Sequence, residues 1–208
     1  MVFVKICGIT NLEDARAAVE AGADALGFNF YSRSSRFIAP LSARRIIAEL
    51  PSSVMTVGVF VNESEPETVA RMADAAGVCA VQLHGDESPS YCRSLSDRFV
   101  IKALRVGADF APLSALEYET DAVLLDAFDR AARGGTGHVI DWQLARRAAA
   151  LMPKLFLAGG LKVENVAEAI KVARPYAVDA CSGLESAPGR KDAARVRAFV
   201  KAAKQRAD

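Results

Sequence analysis

The chain has 208 residues, 51% hydrophobic and 25% charged, with a net charge of +1. This length is enough for one large core, and an α/β barrel of this size counts as one domain, so residues 1–208 are expected to form a single catalytic domain. Charge so close to balance argues against nucleic acid or an anionic membrane as partner, and any bound anion must be caught by local geometry.

In chain order, short apolar runs alternate with stretches of helical period. A first strand over 2–7 stops at Cys7-Gly8, and a helix over 12–21 follows, with Thr10-x-x-Glu13 as a capping box and Gly22 past its end. A strand over 25–29 leads into the basic loop Tyr31-Ser32-Arg33-Ser34-Ser35-Arg36 and a helix over 42–50. Next come a strand over 55–60 and a helix over 65–76, entered by the capping box Ser64-x-x-Glu67 and left through Gly77. Strands over 80–83, 99–104 and 122–125 alternate with helices over 89–95 and 110–116, and the sixth strand runs out at Asp126. Gly134-Gly135-Thr136-Gly137 precedes a helix over 142–151 and reads as an ordinary excursion or as a lid. The last two strands, over 155–158 and 177–179, are followed by Gly159-Gly160 and Ser182-Gly183, with helices over 163–173 and 192–204.

Eight βα units averaging roughly 26 residues imply an α/β fold, a (βα)8 TIM barrel with its helices outside. A doubly wound open sheet has the same periodicity, which says nothing about closure. Alternation puts Phe3, Lys5 and Cys7 on one face of the first strand and the apolar pair Val4 and Ile6 on the other, so Lys5 and Cys7 are expected to face inward. By the same count Gln82 pairs with His84, Leu124 with Asp126, and Asp179 with Cys181. Polar residues thus gather at strand C-termini, the mouth where barrel enzymes keep their sites.

Cys7 is either a small buried hydrophobe or a base, and its place at a strand end with Lys5 on the same face favours the base. Asp126 either caps a loop or acts as a general acid, and if apolar groups wall it, its pKa would rise as such an acid requires. The glycine turns after strands seven and eight match the recurrent phosphate site of such barrels, where backbone N–H groups hold the anion. An arginine in the second loop can clamp a carboxylate, although most charged loops are merely solvated.

The four cysteines form no C-x-x-C pair and the two histidines lie far apart, so neither a metal site nor a disulfide framework is expected. No apolar run reaches eighteen residues, and the N-terminal segment reads directly into a strand rather than as a signal peptide. The expectation is a cytoplasmic monomer.

Taken together, these motifs resemble the phosphoribosylanthranilate isomerase family of tryptophan biosynthesis. The likeness runs through Val4-Lys5-Ile6-Cys7-Gly8-Ile9-Thr10, Ser35-Arg36-Phe37, Val81-Gln82-Leu83-His84-Gly85, Gly134-Gly135-Thr136-Gly137, Leu157-Ala158-Gly159-Gly160-Leu161 and Ser182-Gly183-Leu184-Glu185. The resemblance implies an Amadori rearrangement of a phosphoribosylated anthranilate without any cofactor. Asp126 would be its acid, Cys7 its base and Arg36 the holder of the anthranilate carboxylate. Gly159, Gly160, Ser182 and Gly183 would hold phosphate, and Gln82 and His84 complete the substrate-binding set. Cys181 departs from the serine or asparagine more usual in the family, which weakens any phosphate role for that side chain. The alternatives are another phosphosugar isomerase on the same barrel and a non-catalytic barrel that keeps the phosphate site.

Overall fold

Eight parallel strands close into a barrel in the computed structural model of the chain, which describes residues 1–107, 110–127 and 140–205. They are β1 (Phe3–Cys7), β2 (Ala25–Asn29), β3 (Met55–Phe60), β4 (Ala80–Leu83), β5 (Phe99–Val106), β6 (Ala122–Ala127), β7 (Leu155–Leu157) and β8 (Ala177–Ala180). Each pairs with its chain neighbour, and Phe3 to Ile6 of β1 lie opposite Ala177 to Ala180 of β8, which closes the ring. That closure excludes the open-sheet reading.

The helices are α1 (Leu12–Glu20), α2 (Pro40–Ile47), α3 (Pro66–Ala76), α4 (Pro89–Arg93), α5 (Trp142–Leu151), α6 (Val166–Ala173) and α7 (Ala193–Lys204). In the fifth unit the expected α-helix is a 3-10 helix, Pro112–Tyr118, opened by its proline and ended by Glu119 at φ 51°. Neither capping box forms. Asn11 caps α1, its Oδ1 accepting from the Asp14 N–H at 2.9 Å, while Thr10 Oγ1 donates to the Gly189 carbonyl at 2.6 Å. Pro66 opens α3, where its missing N–H costs nothing, and no side chain caps that helix.

Two apolar layers follow from strand alternation. Val4, Ile6, Leu26, Phe28, Val81 and Leu83 face the helices. Ala25, Val57, Ala80, Ile101, Leu124 and Phe156 fill the barrel interior. The lower end is plugged by aromatics, with Phe3 edge-on to Phe156 at 6.1 Å and stacked on Tyr176 at 5.8 Å. With the floor sealed by apolar rings, the interior's charged groups collect toward the strand C-termini. Among the described residues no helix is long and apolar enough to cross a membrane.

After β8 the chain makes a 3-10 turn, Ser182–Leu184, and then a small hairpin of β9 (Glu185–Ala187) and β10 (Arg190–Lys191) before α7. The reading by period missed this hairpin. It returns Glu185 and Lys191 to the mouth of the barrel.

Candidate active site

Cys7 ends β1 on the inward face, with only 8% of its surface exposed, and lines the cavity at the mouth. Two residues below it, fully buried Lys5 donates from Nζ to Asp179 Oδ1 at 2.8 Å. Burial pulls the Lys5 pKa down, but the negative charges of Asp179 and Cys7 outweigh it and hold the ammonium above its ordinary value. Burial pushes the Asp179 carboxyl up to about 6, against the pull of Lys5. Cys7 is held well below the ordinary thiol range. A hydrogen bond from Cys181 contributes most, and the charges of Lys5 and Lys191 add to it against the opposing effect of burial. The surroundings therefore favour the thiolate form of Cys7.

Asp126 faces the same cavity from β6. Its Oδ1 accepts the Ala127 N–H at 2.9 Å, and its Oδ2 lies 3.2 Å from His84 Nε2. Polar partners thus stand beside Asp126, because His84, just past the end of β4, reaches the same level. Gln82 Nε2 sits 2.7 Å from His84 Nδ1. An amide NH2 only donates, so this arrangement makes Nδ1 the acceptor and leaves Nε2–H to donate to Asp126. Gln82 is only 1% exposed and its amide lies beneath the cavity lining, so its contact is with His84 rather than with the cavity.

Arg36, in the loop after β2, lines the cavity and is engaged from behind. Its Nε and Nη2 donate to Glu185 Oε1 and Oε2 at 2.8 and 2.7 Å. This two-point pair raises the Arg36 pKa, chiefly through the hydrogen bonds to Glu185, and fixes the plane of the guanidinium. Burial pushes the Glu185 carboxyl up, but Arg36 and Lys191 outweigh it and keep it below its usual range. Lys191 Nζ donates to Glu185 Oε1 at 3.0 Å and to the Cys181 carbonyl at 3.2 Å.

Gly159 and Gly160 turn the chain after β7 at φ 80° and 67°, a left-handed pair that side-chain-bearing residues rarely adopt. Gly159, Gly160 and Ser182 line the cavity. Gly183 lies behind them, where a Cβ would come 2.5 Å from the Leu161 carbonyl oxygen, so its bareness lets the seventh and eighth loops meet. The N–H groups of Gly159, Gly160, Ser182 and Gly183 have no acceptor among the described residues. Such a cluster suits an anion.

The structure therefore brings Cys7, Arg36, His84, Asp126, Gly159, Gly160 and Ser182 around one cavity, with Gln82 and Gly183 supporting from below. Sequence reading missed Asp179 as a wall of the cavity, although alternation had placed it on the inward face. It also missed Arg105, one residue inside the end of β5, and Glu185, whose pairing with Arg36 spans 149 residues. The glycine-rich stretch 134–137 and His138 lie outside the described residues. Among those described, no cluster of three His, Cys, Asp or Glu is arranged to hold a metal.

Comparison with known proteins bears directly on this arrangement. Residues 4–202 match the family model described as N-(5'phosphoribosyl)anthranilate (PRA) isomerase. An N-(5'-phosphoribosyl)anthranilate isomerase of Trichlorobacter lovleyi is 52% identical over 205 residues, covering 99% of each chain. That of Geobacter sulfurreducens is 53% identical, covering 98% of this chain and 99% of its own. The crystal structure of phosphoribosyl anthranilate isomerase from Thermotoga maritima superposes with a TM-score of 0.92 at 48% identity, covering 98% of this chain and 99% of that one. A second structure of such an enzyme, with a TM-score of 0.88, holds reduced 1-(o-carboxyphenylamino)-1-deoxyribulose 5-phosphate. The likeness spans every strand of the barrel and both sides of its mouth, and on that evidence the chain belongs to the N-(5'-phosphoribosyl)anthranilate isomerase family.

Proposed function

We infer that Cys7 and Asp126 are the base and the acid of this isomerase of tryptophan biosynthesis. It converts N-(5'-phosphoribosyl)anthranilate into 1-(2-carboxyphenylamino)-1-deoxyribulose 5-phosphate. Asp126 gives a proton to the ribose ring oxygen as the C1'–oxygen bond breaks, and the anthranilate nitrogen lone pair forms the C1'=N bond of a Schiff base. Cys7, as thiolate, takes the proton from C2'. The C2'–H electrons then neutralise the iminium and leave an enolamine, which tautomerises to the ketone. His84 keeps Asp126 facing the ring oxygen, and Gln82 keeps His84 in place. Gly159, Gly160, Ser182 and Gly183 take the phosphate on backbone N–H groups, and Arg36, braced by Glu185, takes the carboxylate.

The observation that carries this reading is a depressed thiol and a carboxyl facing one cavity, between a bare-glycine anion cradle and a braced arginine. A phosphorylated small molecule with a carboxylate at its other end fits that order. One chain supplies every residue named, which supports a monomer as the catalytic unit and residues 1–208 as one catalytic domain. A base that must stay a reduced thiolate fits the cytoplasm.

The test follows the anthranilate fluorescence of the substrate with purified protein. Wild type should consume it. Cys7→Ala should fold normally and lose on the order of a hundredfold or more in turnover, the usual worth of a positioned proton-transfer group. A folded, inert wild type would sink the reading, and a fast Cys7→Ala would remove Cys7 from it.

A further inference from the structure

Cys181 carries no proton to or from the substrate in the proposed isomerisation, yet it sits against the base. Ile6 and Ala180 are Cα partners across β1 and β8, and Cys7 and Cys181 follow them directly at the mouth, Cys181 just past the end of β8. Strands paired at about 4.8 Å bring such neighbours toward the roughly 4.4–6.8 Å between Cα atoms that a disulfide spans. Both side chains line the cavity, and the two thiols are electrostatically linked, each shifting the other. Two glycines make room for them. A Cβ on Gly27 would come 2.7 Å from Cys7 Sγ, and one on Gly8 would come 2.8 Å from Cys181 Sγ. Cations flank the pair, with Lys5 below Cys7 and Lys191 Nζ 3.7 Å from Cys181 Sγ.

We propose that Cys7 and Cys181 are a peroxide-sensitive thiol pair that closes reversibly into a disulfide and switches the isomerase off. The Cys7 thiolate attacks one oxygen of a hydroperoxide. The S–O bond forms, the O–O bond breaks, and the departing oxyanion takes a proton to become water or an alcohol. Cys7 is now a neutral sulfenic acid. The Cys181 thiol had been held high mainly by its hydrogen bond to the Cys7 thiolate, and that restraint is gone while Lys191 remains beside it. Cys181 gives up its proton, with Glu185 Oε1 3.8 Å away as the nearby carboxylate, and attacks the Cys7 sulfur. The S–S bond forms and hydroxide leaves from Cys7, taking the proton away as water. Two thiols are oxidised by two electrons and one peroxide is reduced. The base is then locked away, and a dithiol returns it by exchange. Cys181 thereby protects Cys7 from irreversible sulfinic acid.

The test treats the reduced full-length enzyme with hydrogen peroxide, alkylates the remaining thiols and maps the peptides by mass spectrometry, with turnover measured before and after dithiothreitol. The expected result is a Cys7–Cys181 crosslinked peptide, alkylation of Cys79 and Cys92 alone, and activity that is lost and then regained. Cys181→Ala and Cys181→Ser should lose whatever activity they have to peroxide and fail to regain it, with Cys7 carrying two or three oxygens. Wild type that loses activity with Cys181 still fully alkylated overturns the proposal. So does peroxide that leaves Cys7 reduced, or a crosslink that joins other cysteines. The wild-type map decides the matter even if both variants misfold.

Discussion

Replacing Lys5 with methionine deletes a fully buried cation while keeping an unbranched side chain of similar reach. Two consequences separate by pH. For stability, Asp179 loses the partner that stands 2.8 Å away, and breaking a buried pair from one side costs about 3–5 kcal/mol. Protonation of Asp179 relieves that cost. Its folded pKa is already raised to about 6, above the ordinary 3.8, and rises further without Lys5. A carboxyl raised on folding contributes fully below its unfolded pKa and loses that contribution as pH climbs through the folded value. The deficit of Lys5→Met against wild type should therefore be small near pH 5 and widen through pH 6 to 8, by up to about 1.4 kcal/mol per pH unit. For catalysis, Cys7 loses a nearby positive charge that favours its thiolate, so the acidic limb of kcat/KM should move upward. Urea unfolding at several pH values and a kcat/KM profile read the two effects. Lys5→Met with Asp179→Asn removes the stranded carboxyl, so it should flatten the stability profile and leave the limb displaced. A limb at the wild-type position in Lys5→Met, or a deficit that shrinks as pH rises, would refute the reasoning.

Asp126→Asn keeps size and polarity but has no proton to give, so turnover should drop by at least about a hundredfold; an unchanged rate would move the ring-opening proton elsewhere. Arg36→Met strips one partner from Glu185 and removes the proposed carboxylate clamp from the mouth, so KM should rise more than kcat falls. A fall in kcat with KM unchanged would mean that Arg36 acts only in the transition state. Gly183→Ala places a methyl 2.5 Å from the Leu161 carbonyl oxygen and should push the seventh and eighth loops apart. Affinity for inorganic phosphate, followed as competitive inhibition, should fall with little change in the pH profile.

Local pattern carried the strand plan because a barrel strand is a short covalent run whose alternate residues must face two different layers. Phe3, Lys5 and Cys7 face inward and Val4 and Ile6 outward, as period two requires. Caps were less legible. Thr10 fits a capping box, but its hydroxyl bonds the Gly189 carbonyl 179 residues away, and Asn11 takes the cap instead. The hairpin of β9 and β10 escaped notice because two- and three-residue strands are too short to show a period.

The amino-acid order alone determined that Cys7 and Asp126 end inward-facing strand runs, that bare glycines follow strands seven and eight, and that eight βα units alternate along the chain. Each is a property of neighbours along the backbone, where alternation and turn chemistry operate. Closure of the ring, the brace of Glu185 on Arg36, the His84 contact to Asp126 and the meeting of Cys7 with Cys181 were decided by tertiary structure alone. Those contacts join residues 42 to 174 positions apart, and strand register and barrel closure set their distances, which no local pattern encodes. The chemical character of the site follows the same division: the sequence supplies a thiol, and the neighbours Cys181, Lys5 and Lys191 lower its pKa against the effect of burial.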